Sequence, residues 1–157
     1  MNRNLAIELL GKTGEKIVSN HLSELGYKVT HSINNFDNQK DLIVEGRTVE
    51  VKTEQPYVKK NAITIRRTQV KKCRSVDALY FVLLPPLIDP NYKWGGVLLE
   101  VDPESFECRP YTTKSGIQMV EIPIDQPSVR FIKKLSTEEK MELLKYASSA
   151  YDRKKLR

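Results

Sequence analysis

Asp41 and the tripeptide Glu50-Val51-Lys52 are the residues of this chain best suited to chemistry, and they stand close together in the stretch KDLIVEGRTVEVKTE. Asp41 opens an apolar run, Leu42-Ile43-Val44. Glu45-Gly46-Arg47 reads as a turn, and a second run extends from Thr48 to Thr53. Two strands joined by a tight glycine-containing turn lie antiparallel. Side chains alternate along a strand, so Thr48, Glu50 and Lys52 share one face while Val49 and Val51 share the other. An acid at the start of one strand, beside a carboxylate and an amine on the next, makes a compact acidic pocket with one cation. Such a pocket can hold a hard metal ion. Magnesium prefers oxygen ligands, with water completing its octahedron, and the side chains of Asp41 and Glu50 and the carbonyl of Val51 offer those oxygens. Lys52 is placed to orient or deprotonate an attacking water, or to hold a phosphate; burial and nearby cations are the usual route to a lysine base.

Glu15 is the natural additional acid, on a first helix expected over Asn4 to Leu25 with Leu10, Ile17, Val18, Leu22 and Leu25 near helical spacing. Gly11 and Gly14 are a cost inside that helix unless one of them lets another backbone come close. Glu54 falls on the Glu50 face if the strand continues and competes for a metal role. Asp37, in the loop 34–38, is a further spare acid.

The positioning elements follow in order. Tyr27 to Ile33 reads as a strand, the hairpin comes next, and Ala62 to Arg66 alternates as a short strand. A helix is expected from Thr68, acting as cap, to Arg74. Ala78 to Leu84 is apolar throughout, as in a strand buried on both faces. Val97 to Val101 and Ile117 to Ile122 are later strands, with a turn or short helix at 102–108. Ser136-Thr137-Glu138-Glu139 fits a capping box and opens a C-terminal helix over about 137–154. This order predicts one α/β domain, 1–157, with a mixed central sheet flanked by helices.

Lysine and arginine number 26 against 20 acids, for a net charge of +6. A basic balance favours polyanionic partners, nucleic acid above all. Lys59, Lys60, Arg66, Arg67, Lys71, Lys72 and Arg74 all follow the acidic pocket, and 153–157 form a basic end. No apolar run is long enough to cross a bilayer, so no membrane partner is expected. The N-terminal residues show no signal-peptide pattern, and an intracellular, cytoplasmic location is expected. Two isolated cysteines and two histidines make a zinc site a poor fit.

Gly11-x-x-Gly14-Glu15, Asp41 in Asp-Leu-Ile-Val, and Glu50-Val51-Lys52 together resemble the PD-(D/E)XK nuclease superfamily. The nearest branch is the archaeal-type Holliday junction resolvases and Mrr-like restriction nucleases. The likeness continues through Ile63-Thr64-Ile65, Thr68-Gln69-Val70-Lys71 and the buried strand, and covers roughly the first 84 residues, as whole motifs rather than a lone tripeptide. No proline precedes Asp41; Gln39-Lys40 stands there instead, and that proline is often absent in such enzymes. The resemblance implies a restriction-endonuclease-like core and a metal-dependent DNA endonuclease. Asp41 and Glu50 would bind magnesium, with manganese able to substitute; Lys52 would be the catalytic lysine, Glu15 the helix acid and Gln69 a lesser residue near the DNA. Junction resolution, restriction and homing-type cleavage are the competing tasks. A chain of this size suits a homodimer or a higher symmetric oligomer on symmetric DNA, joined through the C-terminal helix or the later strands. The alternative is a catalytically inert DNA-binding or assembly subunit on the same scaffold, and RNA is a third substrate class.

Overall fold

The first helix begins where the sequence supplies a cap. In a computed structural model, which describes residues 1–31 and 42–151, the Asn2 side chain accepts from the backbone N–H of Asn4 at 2.7 Å and of Leu5 at 3.4 Å. These are donors that a helix start leaves without partners. Helix α1 (Arg3–Glu24) runs unbroken through both glycines and buries Ala6, Leu10, Gly14, Ile17, Val18 and Leu22 along one stripe. Leu25, expected in that stripe, is the C-cap and is exposed. The helix closes with Gly26 N–H donating to Ser23 and Tyr27 N–H to Leu22, a paired ending that satisfies carbonyls of the last turn.

Strands β1 (Val29–His31), β2 (Leu42–Val44) and β3 (Arg47–Glu54) follow. The strand expected over 27–33 thus starts at Val29, and its residues 32 and 33 lie outside the described residues. The turn between β2 and β3 is Glu45-Gly46 alone, because Arg47 already pairs with Val44. Both turn residues have positive φ, 51° and 84°, which suits the twist of a two-residue hairpin. The chain then passes through β4 (Pro56–Tyr57), a 3₁₀ turn (Val58–Lys60), β5 (Ala62–Arg66), a second 3₁₀ turn (Arg67–Gln69) and α2 (Val70–Arg74) to reach β6 (Ala78–Leu83). Thr68 does not cap a helix: it lies inside the 3₁₀ turn, and α2 starts without a side-chain cap. After β6 come β7 (Val97–Val101), β8 (Arg109–Thr112), β9 (Gln118–Pro123), β10 (Val129–Lys134) and α3 (Thr137–Ala150). The capping box forms in full, Ser136 with Glu139. The helix stops at Ala150, short of the expected 154.

The fold is α/β, with two sheets among the described residues. The larger has the order β1-β2-β3-β6-β7-β10 and the smaller β4-β5-β9-β8. β3 and β6 are parallel and the other pairs of the larger sheet antiparallel, so that sheet is mixed, as expected. One apolar cluster joins Val49, Val51, Tyr80, Val82, Leu84 and Leu98 to α1 and α3. A second joins Leu79, Phe81, Leu83, Val97, Leu99 and Val101 to Ile63, Ile65, Val120 and Ile122 of the smaller sheet, and to Cys73 of α2. β6 therefore has a core on each side, which explains its unbroken apolar run. The buried face of α3 (Leu143, Ala147, Ala150) is spent inside the protomer, in the cluster it shares with α1, and is not available to join two copies. No described helix is long and apolar enough to cross a membrane.

Gly14 fixes how closely α1 lies on β3. A Cβ there would sit 1.8 Å from Thr53 Oγ1 and 3.1 Å from Thr53 Cβ, whereas at Gly11 nothing lies within 4 Å. The two glycines thus have opposite meanings. Gly11→Ala should raise stability by about 0.5–1 kcal/mol through helix propensity. Gly14→Ala should lower it by about 1–3 kcal/mol through overpacking, and adding Thr53→Ala should recover most of that loss. Urea unfolding of the four proteins checks this; equal effects of the two glycine changes would contradict the close approach.

Candidate functional site

Strand alternation puts Glu50, Lys52 and Glu54 on the face of β3 opposite Val49 and Val51. Because Val49 and Val51 pack in the cluster with α1, Glu50 and Lys52 face the side of the smaller sheet and α2. Helical spacing on the other wall is complementary. Gln69 leads into α2, and Lys72 and Cys73 follow at i+3 and i+4, on one side of the turn. Cys73 is fully buried, which turns that side toward β3.

These two walls meet. Glu50 is the one charged residue in the core among the described residues, 1% exposed. Lys52 Nζ lies 3.1 Å from Glu50 Oε1, and Lys72 Nζ 3.3 Å from Glu50 Oε2. The Lys52 ammonium also donates to Gln69 Oε1 at 2.7 Å. An isolated carboxylate in a core would cost several kcal/mol, and countercharges at hydrogen-bond distance are what offset that cost. Cys73, beside the cluster, has its thiol pushed up to about 11, chiefly by burial, with Lys52 and Lys72 pulling it down and Glu50 pushing it up. It is a packed thiol and not a nucleophile. Glu54, at the end of β3, is raised to about 7 by burial, against the pull of Lys52. Tyr151 behind it is held above the ordinary phenol range, first by burial and then by the charge of Glu54.

Of the expected site residues, the structure brings Glu50, Lys52 and Gln69 together. Val51 lies between the two charged residues on the strand, its side chain in the opposite core. Glu15 is half-buried on α1 and follows Gly14, the point of closest approach to Thr53. Asp41, Asp37 and the basic end 153–157 lie outside the described residues. Leu42, the neighbour of Asp41 in the chain, pairs with Val49, the residue before Glu50. Lys72 is a member of the cluster that sequence reading left inside the basic patch; its spacing from Gln69 and from buried Cys73 was the available signal.

The basic patch divides. Lys59, Lys60, Arg66 and Lys71 are exposed. Arg67 donates to the carbonyls of Tyr111 at 3.0 Å and Met119 at 3.4 Å, tying the second 3₁₀ turn to β8 and β9. Arg74 donates to Phe106 O at 2.9 Å and lies 3.9 Å over the Phe106 ring. These two arginines hold the fold. Trp94 anchors its loop, 6.4 Å from the ring of Phe131 with the Lys93 ammonium 4.7 Å from its own. No family model matches the chain, and no curated protein matches it in sequence.

Glu54 carries a pH prediction. Its carboxyl is raised in the folded protein to about 7 from an ordinary 4.5. Between those values the folded chain keeps a proton that the unfolded chain has lost, so stability falls as pH rises through the window. Glu54→Gln removes the loss. The variant should gain on the wild type between pH 5 and pH 8, by on the order of 2 kcal/mol. Parallel stability–pH curves from denaturant titrations would refute the assignment.

Proposed function

We propose that this chain is a magnesium-dependent endonuclease that hydrolyses DNA phosphodiester bonds, on a core of the PD-(D/E)XK type. The observation that carries the reading is the buried Glu50 carboxylate, with the Lys52 ammonium on the same strand face at 3.1 Å and Gln69 fixing that ammonium at 2.7 Å. A half-buried lysine held at two points is organised for a task rather than left to solvent, and the acid and base of a hydrolytic site require such positioning.

The donor chemistry fits a hard cation. Glu50 offers carboxylate oxygen and Val51 a neighbouring carbonyl. Among the described residues no three His, Cys, Asp or Glu side chains are grouped to share a metal ion. The reading therefore calls on Asp41, whose chain neighbour Leu42 pairs beside Glu50. Magnesium, when bound, supplies positive charge at the scissile phosphate and a more acidic water. Lys52 orients that water or the phosphate, and Gln69 keeps Lys52 in place. Lys59, Lys60, Arg66 and Lys71 are exposed on the segment from β4 to α2 that also delivers Gln69, and would meet DNA phosphates. A symmetric homo-oligomer belongs to the same proposal.

A second reading has one observation in its favour. Both oxygens of Glu50 are already matched by lysines, which an inert DNA-binding or assembly subunit would also tolerate. A cleavage panel separates the two: linear duplex, flap, four-way junction and single strand, with magnesium, manganese or neither. The expected result is metal-dependent nicking, reduced by about a hundredfold or more in Lys52→Ala, Glu50→Gln and Asp41→Asn, while DNA binding persists and weakens steeply with salt. Binding without cutting in either metal would hand the case to the inert subunit.

A further inference from the structure

We propose that Lys72 is a positioning residue that holds Oε2 of Glu50 and must yield that oxygen when a divalent cation binds, so that it sets the protein's affinity for such ions. The proposal rests on the metal-dependent reading above and extends it to a residue that no motif of the sequence marked.

Glu50 has two oxygens, and each has an ammonium beside it: Lys52 at 3.1 Å from Oε1 and Lys72 at 3.3 Å from Oε2. A hard cation binds through those same lone pairs, and an ammonium lying against the oxygen at ion-pair distance occupies its place. One lysine has to move. Lys52 is the less free of the two. It projects from the interior of β3 and is pinned a second time by Gln69 at 2.7 Å. Lys72 comes from the five-residue α2, and its side chain is 22% exposed against 17% for Lys52. A lysine has a flexible stem and a strongly hydrated head, so it can swing outward once a divalent ion supplies the countercharge it had given Glu50. Charge supports the same exchange. In the resting site the buried carboxylate faces two ammonium groups, and the one on Lys72 repels an incoming cation. Departure of Lys72 removes that repulsion and frees an oxygen in one movement. The site is then an exchange of cations on Glu50, with Lys72 guarding the carboxylate until a divalent ion replaces it.

The test is manganese binding to the 157-residue protein without DNA, followed by calorimetry and by the free-ion paramagnetic resonance signal. Lys72→Gln should bind Mn²⁺ about tenfold more tightly than wild type, the order expected for losing one part-buried charged competitor. Lys72→Arg keeps the charge and should stay near wild type. Equal or weaker binding in Lys72→Gln, with wild type saturating normally, overturns the proposal alone. A wild type that shows no saturable Mn²⁺ site overturns the metal-dependent reading and this inference with it. Should Lys72→Gln not fold, the wild type still decides. Saturating Mg²⁺ should shift the side-chain Cε resonance of Lys72 and leave that of exposed Lys71 in place, and an unmoved Lys72 signal refutes the exchange.

Discussion

A carboxylate in the core is the constraint from which much of this structure follows. Glu50 is 1% exposed on a strand whose neighbours Val49 and Val51 are apolar and buried. Such a group is stable only where countercharge comes with it. β3 supplies one cation two residues along, at Lys52. The second has to come from outside the strand, and it comes from α2 through Lys72. The short helix is therefore held by two different forces. Cys73 packs into the apolar cluster between the sheets, and one residue earlier Lys72 enters the polar cluster. Truncating either lysine would leave a buried charge short of a partner, which costs more than the loss of a surface ion pair.

The parallel pairing of β3 with β6 makes this geometry possible. Antiparallel neighbours join through a tight turn, but parallel ones need a crossover. Here the crossover carries β4, β5, both 3₁₀ turns and α2. It closes over the Glu50 face and builds the first half of the smaller sheet on the way. The register Glu50↔Leu79, Lys52↔Phe81 and Glu54↔Leu83 places each charged residue beside a large apolar one on β6. The polar cluster is thereby a rim on the second hydrophobic core. Burial at that rim is what raises Glu54 and Cys73.

The parts legible in the sequence are those where local rules and tertiary demands agree. The hairpin, the β5 alternation, the β6 apolar run and the Ser136 capping box all formed as their residues suggest. Three strands escaped. β4 is only two residues long and leaves no periodicity to read. β10 carries a register shift between Phe131 and Lys133, and a bulge breaks the period-2 pattern by which a strand is recognised. β8 contains Pro110 and is mostly exposed, so it has little apolar signal to show. The second sheet was hidden because β5 reads the same whichever sheet it joins. Within the site, strand alternation alone put Glu50, Lys52 and Glu54 on one face. Gln69 and Lys72 depended on where α2 docks, a tertiary fact that charge content concealed by grouping Lys72 with exposed Lys71 and with Arg67 and Arg74, which are tied to carbonyls.

The division of the basic residues bears on how a polyanion would approach. Arg67 and Arg74 hold their guanidinium groups on backbone carbonyls, where the planar fork of arginine is worth more than a point charge. The residues left facing solvent on that segment are mainly lysines, Lys59, Lys60 and Lys71, with Arg66. Lysine gives charge without fixed geometry, which suits contact with phosphates at any sequence more than reading of particular bases. On the proposed reading, the crossover between β3 and β6 thus performs two tasks with one stretch of chain. Its inner side completes the Glu50 cluster, and its outer side offers an attraction that is strong at low salt and indifferent to sequence. Selectivity for one DNA shape would then have to come from the spacing of two such sites in an oligomer, because this surface carries charge and little else with which to discriminate.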